Sequence, residues 1–522
     1  MAKQAKTDFG ATIAAAYTAK GEALRLGTGV HDKELEPEAV VQVPLRMLNR
    51  HGLIAGATGT GKTRTLQLIA EQLSAAGVPT FLADVKSDVS GMAVAGAADG
   101  AAADRMKELG LPREPTSFPV ELFSLGGIGS GVPIRAAVSD FGPQLLAKIL
   151  GANETQEQSL ALVFRYADEQ GLALVDLADL RALLTFLDSD EGKGELEGLG
   201  GVASATIGVL LRGLVAVEDG GGTEFFGEPQ LAIADLLRIG PDGRGIVSCL
   251  ELSAVQDTPT LWSTALMWLV AELFEELPEV GDRDKPKLVF FFDEAHLLFK
   301  DATPAFLDSV VRTVRLIRSK GVGVFFVTQS PTDLPRDVLG QLGNRVQHAL
   351  RAFTPEDADA LRATVRTFPE SDFYDLEELL TSMGIGEAAV TILDERGVPT
   401  PVVHTRLVGP VSSMSPAPDL DALAKASPLF ANYGNRQDPE SARDKLGARM
   451  DAAAKAHEAE EQAEAAEQAA HDAEQAAPRT RTRRAEPSGT GNPVLDMLTS
   501  RQGQAIGKEI VRGVFGMLKK RR

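Results

Sequence analysis

Eight consecutive residues in the first part of the chain have the types and spacing that bind phosphate groups. They are Gly56, Ala57, Thr58, Gly59, Thr60, Gly61, Lys62 and Thr63, and Arg64 follows them. The glycines let the backbone curl so that successive N–H groups point at phosphate oxygens. Lys62 supplies an ammonium for the β- and γ-phosphates, and the Thr63 hydroxyl is a ligand for Mg²⁺. We assign residues 56–64, apart from Ala57, to the binding of ATP.

Two adjacent carboxylates follow a strongly apolar run. Residues 288–292 are all apolar, and Asp293 and Glu294 come directly after them. A buried strand there brings Asp293 to the edge of the sheet where open α/β sheets bind ligands, and Asp293 can then hold the water shell of Mg²⁺. Glu294 is placed to polarise an attacking water as a general base. The alternative is that the two carboxylates only cap the helix that follows.

Other polar residues end apolar runs in the same way. Gln329 follows the run 322–327, where it could sense the γ-phosphate or position water, and the alternative is simple strand termination. Asp84 and Lys86 follow the strand after the phosphate-binding loop, so they either face the site or form a surface turn. His296 is interpreted as structural.

An arginine commonly neutralises the transition-state charge on the γ-phosphate, often from a neighbouring subunit. The candidates lie on one predicted helix and on the last strand: Arg312, Arg315, Arg318, Arg345 and Arg351. Arg318 is our first choice, although helix arginines are usually solvated.

Apolar runs of strand length must position these residues. They cover residues 51–55, 78–84, 245–252, 287–293 and 322–328, with a weaker run at 346–350. Near-continuous apolar strands separated by helical patterns indicate a parallel sheet covered on both faces. The sequence therefore predicts an α/β fold with a mainly parallel sheet, with residues 1 to about 50 at an edge of this core.

Changes of pattern divide the chain into five predicted segments. They are 1–135, the first part of an ATPase core with the phosphate-binding loop; 136–240, a helical insertion; 241–440, the second part of the core; 441–492, a linker rich in Ala and Glu; and 493–522, a basic amphipathic helix. The linker at 441–492 is expected to be an exposed helix or disordered, because it has little large apolar surface to bury.

Composition limits the partners and the compartment. The 522 residues carry a formal net charge of −20, so the surface as a whole should repel nucleic acid unless basic groups are concentrated locally. The single cysteine, Cys249, lies in an apolar run and is expected in the core. No apolar run reaches the roughly 18 residues that a membrane span requires. We therefore expect a cytoplasmic protein.

Four blocks of sequence together resemble a known group of motors. They are Asn49-Arg50-His51-Gly52-Leu53-Ile54-Ala55 leading into the loop, Ala83-Asp84-Val85-Lys86-Ser87-Asp88, Phe292-Asp293-Glu294-Ala295-His296 and Arg318-Ser319-Lys320-Gly321-Val322-Gly323. From about residue 20 to about 440 the chain is similar to the HerA/FtsK group of DNA-translocating ATPases, and within it to the YjgR-like subgroup of HerA-like proteins. The resemblance implies a RecA-like core, a ring that is most often a hexamer, ATP at subunit interfaces and DNA in the pore.

One departure from HerA proper bears on function. HerA proper resembles a fusion of this motor to an N-terminal β-barrel, and about fifty residues before the loop leave no room for that barrel. The leading hypothesis is a homo-oligomeric, Mg²⁺-dependent ATPase that couples hydrolysis to movement on DNA. The alternative is an ATP-driven switch or assembly protein that acts on a protein partner, recruited through the C-terminal tail. A small-molecule kinase would need an acceptor pocket and lid that the sequence does not reveal.

Overall fold

The computed structural model describes residues 2–196, 200–281, 283–300 and 304–476. The chain divides into two compact units, residues 1–451 and 452–522. The first unit contains the sheet and the predicted site. In the second unit the described residues, 452–476, are helical. The predicted basic helix at 493–522 and the end of the predicted linker lie outside the described residues.

A mixed β-sheet forms the centre of the first unit. Its strands, in chain order, are β1 (Ala23–His31), β2 (Glu34–Pro44), β3 (Gly52–Ala55), β4 (Thr80–Asp84), β5 (Val120–Leu125), β6 (Val132–Ile134), β7 (Val247–Glu251), β8 (Leu288–Phe292), β9 (Val322–Thr328), β10 (Asn344–Gln347), β11 (Glu387–Thr391) and β12 (Val403–Leu407). In space the order is β2-β1-β12-β11-β10-β3-β9-β8-β4-β7-β5-β6. All pairings from β10 to β6 are parallel, and those from β2 to β10 are antiparallel.

Helices connect and cover the strands. They are α1 (Ala2–Ala16), α2 (Lys62–Ala75), α3 (Ala101–Glu108), α4 (Val138–Ile149), α5 (Glu154–Gln170), α6 (Leu177–Asp188), α7 (Ser204–Val217), α8 (Thr223–Phe225), α9 (Pro259–Glu276), α10 (His296–Phe299), α11 (Pro304–Ile317), α12 (Arg336–Leu339), α13 (Pro355–Val365), α14 (Leu376–Ser382), α15 (Leu420–Lys425), α16 (Phe430–Tyr433) and α17 (Ala442–Ala476). Short 3₁₀ helices follow several strands, including Pro331–Asp333 after β9.

Both faces of the parallel strands are buried, which explains why these strands read as continuous apolar runs. Successive side chains point to opposite faces, so Phe290 and Phe292 of β8 pack into one hydrophobic cluster and Val289 and Phe291 into another. Cys249 of β7 is fully buried in the second cluster, as predicted for a core residue.

The segment between β6 and β7 is mainly helical, in agreement with the sequence pattern. Side chains fix where its helices begin: Asn153 and Gln156 form a capping box at α5, and Asp176 and Asp179 form another at α6. The segment belongs to the same compact unit as the sheet, so its status as a separate insertion stays a prediction.

The structure confirms the predicted fold class, a mainly parallel α/β sheet. The six apolar runs become β3, β4, β7, β8, β9 and β10, which are neighbours in space. The hairpin of β1 and β2 lies at the sheet edge, where the first fifty residues were expected. None of the described helices is long and apolar enough to cross a membrane.

Candidate nucleotide-binding site

The predicted phosphate-binding loop lies between β3 and α2, at the carboxyl edge of the parallel strands. Gly56 has φ 152° and Gly61, the N-cap of α2, has φ 118°. A Cβ on Gly56 would lie 2.5 Å from Cβ of His348, so a side chain does not fit there. The loop therefore needs glycine both for its backbone conformation and for its close packing.

Neighbouring strands brace this loop through backbone hydrogen bonds. The Gly56 N–H donates to the carbonyl of Gln329 after β9, at 3.1 Å. The Ala57 N–H donates to the carbonyl of Ala349 after β10, at 2.9 Å, and the Thr60 carbonyl accepts from the Gly386 N–H at 3.1 Å. The loop is thus fixed to three other parts of the chain.

The ammonium of Lys62 lies over the loop. Its Nζ donates to the carbonyls of Gly56 at 2.7 Å and Ala57 at 3.2 Å. Burial lowers the pKa of Lys62, while the nearby negative charges of Glu294 and Asp293 raise it. The sequence-predicted lysine and carboxylates are therefore brought into one electrostatic neighbourhood.

Asp293 and Glu294 follow β8 in a strained turn. Glu294 has φ 49°, an uncommon conformation for a residue with a side chain, and its N–H donates to Oδ1 of Asp293 at 2.9 Å. Burial, and next the charge of Glu294, raises the pKa of Asp293 to about 6. The turn places the Glu294 carboxylate beside two side chains: Lys86 Nζ is 4.0 Å from Oε1, and His296 Nδ1 is 3.5 Å from Oε2.

Asp84 and Lys86 have different roles. Asp84 is buried, and its carboxylate accepts hydrogen bonds from the N–H groups of Lys86, Asp88 and Val89, so it organises the turn after β4. Burial raises the pKa of Asp84. Lys86 is the member of the pair that reaches the site, because it contacts Glu294.

A similar turn holds Gln329. The carboxylate of Asp333 accepts from Thr328 Oγ1 and from the Ser330 N–H, both at 2.8 Å. The Gln329 side chain between them is exposed, beside the loop that its own carbonyl braces. Its carbonyl and side chain thus lie at the same edge as the loop, and its function stays a prediction.

Comparison with known proteins assigns the family. Residues 30–522 match the family model described as Helicase HerA-like C-terminal. The chain belongs to this family. The match confirms the HerA/FtsK resemblance drawn from the four sequence blocks. No curated protein matches the chain.

Solved structures share the fold of this HerA-like chain. One is the bacterial conjugative coupling protein TrwBdeltaN70 in its unbound form, with 14% identity, TM-score 0.53 and coverage of 79% of this chain and 94% of that one. The plasmid coupling protein TrwB with the ATP analogue ADPNP has 14% identity, TM-score 0.52 and the same coverage. VirB4 of Thermoanaerobacter pseudethanolicus has 14% identity and TM-score 0.47, and it covers 75% of this chain and 98% of its own. The TrwB structures establish the RecA-like core.

The candidate arginines of the HerA-like chain are scattered. Arg318 lies in the 3₁₀ helix before β9, at the opposite edge of the sheet from the loop. Arg312 and Arg315 are exposed on α11. Arg345 is held by the carbonyls of Leu342 and Thr367, which is a structural role. The fifth candidate, Arg351, is also exposed, and it lies near the carboxyl end of β10.

His348 is a site residue that the sequence interpretation missed. It is fully buried, and its Nε2 lies 2.9 Å from Oγ1 of Thr65 in α2. Burial lowers the pKa of His348 to about 4, so the ring beside the loop is neutral at pH 7. The only signal was its place directly after β10, which resembles the position of Gln329 after β9.

The oxygen chemistry at this edge fits magnesium. Thr63 lies in the first turn of α2 and Asp293 directly follows β8, and a hydroxyl and a carboxylate are ligands that Mg²⁺ prefers. Within the described ranges there is no group of three or more His, Cys, Asp or Glu side chains that could hold a metal ion. A magnesium ion here would therefore take most of its ligands from phosphates and water.

Proposed function

We propose that this HerA-like protein is a Mg²⁺-dependent ATPase that works as a homo-oligomer and couples hydrolysis to movement on DNA. The observation that carries the ATPase is the meeting of a glycine-rich loop, Lys62, Asp293 and Glu294 at one sheet edge. These are the groups that bind and cleave a nucleoside triphosphate, and they come from distant parts of the sequence.

Each group has a distinct task in this proposal. The loop N–H groups, the N-terminus of α2 and Lys62 bind the triphosphate. Thr63 and Asp293 would hold magnesium, which would supply positive charge to neutralise the phosphate oxygens. Glu294 accepts a proton from the attacking water. Gln329 orients the water.

The adenosine would occupy an apolar cleft beside α2. This cavity, of about 400 Å³, is lined among others by Gly61, Arg64, Ala101, Ile385 and Met414. Arg64 is fixed at its wall, because its guanidinium donates to the Met414 carbonyl at 2.6 Å. The cleft adjoins the loop, so a nucleotide with its phosphates on the loop can reach it. This placement supports the assignment of Arg64 to nucleotide binding.

The oligomer and the DNA coupling rest on family and fold. The matching family is described as Helicase HerA-like C-terminal, and TrwB, which shares the fold, has been solved with an ATP analogue. A ring, most often of six subunits, would place Arg318 of one subunit near the γ-phosphate of the next. The tail beyond the core is a second possible contact, for DNA or for a protein partner.

ATP turnover with and without DNA tests this function. We expect Mg²⁺-dependent hydrolysis that DNA stimulates at low salt. Lys62→Ala should abolish nucleotide binding. Glu294→Gln should retain binding but lose roughly 10² to 10⁴ of the turnover, the range of general-base catalysis. Glu276→Gln, an exposed glutamate of α9, is the matched control and should behave as the wild type.

Two outcomes separate the parts of the proposal. Unchanged turnover in both Lys62→Ala and Glu294→Gln would refute the site. Normal turnover with no DNA binding or stimulation would refute only the DNA motor. It would favour instead an ATP-driven switch acting on a protein, which deletion of residues 441–522 in a pull-down with retained ATPase activity would support.

A further inference from the structure

The turn after β4 brings a lysine to the proposed site. Lys86 lies two residues beyond Asp84, the last residue of β4, and β4 pairs with β8 in the sheet. Its Nζ is 4.0 Å from Oε1 of Glu294, and its side chain is 56% exposed. Lys86 is thus a mobile cation beside the proposed general base.

Backbone strain occurs on both sides of this contact. Ser87, directly after Lys86, has φ 58°, and Glu294 has φ 49°. Both values lie in the left-handed region, which a residue with a side chain adopts at a cost. The two residues follow neighbouring parallel strands, β4 and β8. Strain of this kind persists only where surrounding contacts maintain it, and it clusters at active sites.

Two buried carboxylates maintain the strained turn after β4. Asp84 accepts a hydrogen bond from the Lys86 N–H at 3.2 Å. Glu251, the last residue of β7, accepts from the Ser87 hydroxyl at 2.5 Å and from the Ser253 N–H at 3.0 Å. Strand β7 pairs with β4 on the side away from β8. The turn that carries Lys86 is therefore fixed from the strand on its other side.

The position of Lys86 places positive charge where the γ-phosphate would lie. Glu294 is proposed to accept a proton from the water that attacks the γ-phosphorus, so that water lies between this carboxylate and the γ-phosphate. A flexible lysine side chain 4.0 Å from the same carboxylate can reach the γ-phosphate oxygens. The charge of Lys86 also reaches Lys62: burial is the main cause that lowers the pKa of Lys62, and the positive charge of Lys86 lowers it further.

We propose that Lys86 binds the γ-phosphate of ATP, and that Glu251 positions it through Ser87. The inference rests on the proposed ATPase function and adds a second lysine to the same site. The γ-phosphate would replace Glu294 as the partner of the Lys86 ammonium. ADP lacks this phosphate, so Lys86 should distinguish ATP from ADP, whereas Lys62 contacts the β-phosphate as well and should bind both nucleotides.

Equilibrium binding tests this role independently of hydrolysis. The measurement is calorimetric titration of ADPNP and of ADP, each with Mg²⁺, into the full-length protein. Lys86→Ala should weaken ADPNP binding roughly tenfold or more, because a charge-assisted contact is lost, and should leave ADP binding unchanged. Lys86→Arg keeps the charge and should retain most of the preference for ADPNP. Lys425→Ala, at an exposed lysine that ends α15, is the matched control and should bind both nucleotides as the wild type does.

Ser87→Ala tests the positioning by Glu251. This variant removes the hydroxyl that donates to Glu251, so ADPNP binding should weaken roughly three- to tenfold, the range of one hydrogen bond, with ADP binding unchanged. If Ser87 acts through Lys86, the double variant Lys86→Ala, Ser87→Ala should bind ADPNP no more weakly than Lys86→Ala alone. Thermal unfolding of each variant checks that the fold is intact.

The outcomes separate this proposal from the ATPase proposal on which it rests. Lys62→Ala should lose both nucleotides, and wild-type binding of both would refute the nucleotide site and this inference with it. Loss of binding in Lys62→Ala, together with wild-type ADPNP binding in Lys86→Ala, would overturn only the role of Lys86. Equal weakening of ADPNP and ADP in Lys86→Ala would also overturn it, because the lysine would then support the site as a whole. Additive losses in the double variant would overturn the positioning role.

Discussion

At the scale of single residues, the charge of Asp293 serves the proposed function but lowers the stability of the protein. Asp293 directly follows the buried strand β8, and burial raises its pKa from 3.8 to about 6. The folded chain therefore binds more protons than the unfolded chain between about pH 4 and 6. The free energy of unfolding consequently falls as pH rises through that window, and the ionised carboxylate destabilises the protein at pH 7. A charged ligand for magnesium is retained there at a cost in stability.

Asp293→Asn should therefore stabilise the folded protein and impair its proposed ATP hydrolysis. The amide keeps an oxygen to accept from the Glu294 N–H but carries no charge. We expect a gain of roughly 1 to 3 kcal/mol in the free energy of unfolding at pH 7.5, from a pKa difference of about two units. The gain should vanish near pH 4. Urea unfolding across this pH range measures it.

A matched variant separates this effect from a general loss of charge. Asp308 is an exposed aspartate on α11, so Asp308→Asn should leave the free energy of unfolding nearly unchanged. An Asp293→Asn protein that is less stable than the wild type at pH 7.5 would contradict the assignment of desolvation as the dominant cause.

Site residues could be predicted where the signal is contiguous in the sequence, and not where it depends on contacts with distant parts of the chain. Lys62 and Thr63 lie in one contiguous motif, and Glu294 follows a strand whose apolar run is evident from its sequence. His348 acts through its contact with Thr65, which depends on how β10 pairs with β3. That pairing has no local signature. The Glu294 contact with His296 likewise depends on a strained turn.

At the scale of elements, the phosphate-binding loop depends on packing against the end of β10. Gly56 and Gly59 both have positive φ, of 152° and 78°. A Cβ on Gly59 would meet nothing within 4 Å, whereas one on Gly56 would lie 2.5 Å from His348 Cβ. Cβ of His348 is fixed to its backbone, so rotation of the side chain cannot relieve the clash.

The two glycines therefore should not tolerate alanine equally. Gly59→Ala is expected to cost about 1 kcal/mol for its backbone conformation alone. Gly56→Ala should cost roughly 2 to 4 kcal/mol and weaken ATP binding, because strand β10 must move. Urea unfolding and equilibrium nucleotide binding measure both effects. Equal losses in the two variants would show that the contact with His348 is unimportant.

Three of the strands that sequence patterns missed, β2, β6 and β12, lack a long continuous apolar run, whereas β5 and β11 were missed although they are almost fully buried. β2 is only partly buried, and several of its residues are charged, so it lacks the apolar run of an interior strand. β6 has three residues and β12 alternates between buried and partly exposed positions. The central parallel strands were evident because both of their faces are covered. Edge strands depend on their partners, and the sequence alone does not specify partners.

At the scale of the whole molecule, Arg318 cannot act on the ATP bound by its own chain. The seven-residue strand β9 separates it from Gln329 and the loop, a span of roughly 20 Å. An arginine side chain is much shorter than this distance. If Arg318 acts on a γ-phosphate, the nucleotide must belong to a neighbouring subunit, as a head-to-tail ring would allow.

Mixing two inactive variants tests this arrangement. Lys62→Ala chains lack a functional loop but retain Arg318, and Arg318→Ala chains have the opposite defect. If Arg318 acts in trans, a 1:1 mixture should recover about a quarter of wild-type turnover, because half of the sites have Lys62 and half of their neighbours supply Arg318. Arg312→Ala alone should stay active, as an exposed arginine of α11 without this role. Mixtures that remain as inactive as their components would exclude Arg318 as the trans-acting residue, and an exposed Arg351 near the loop edge would then be the next arginine to substitute.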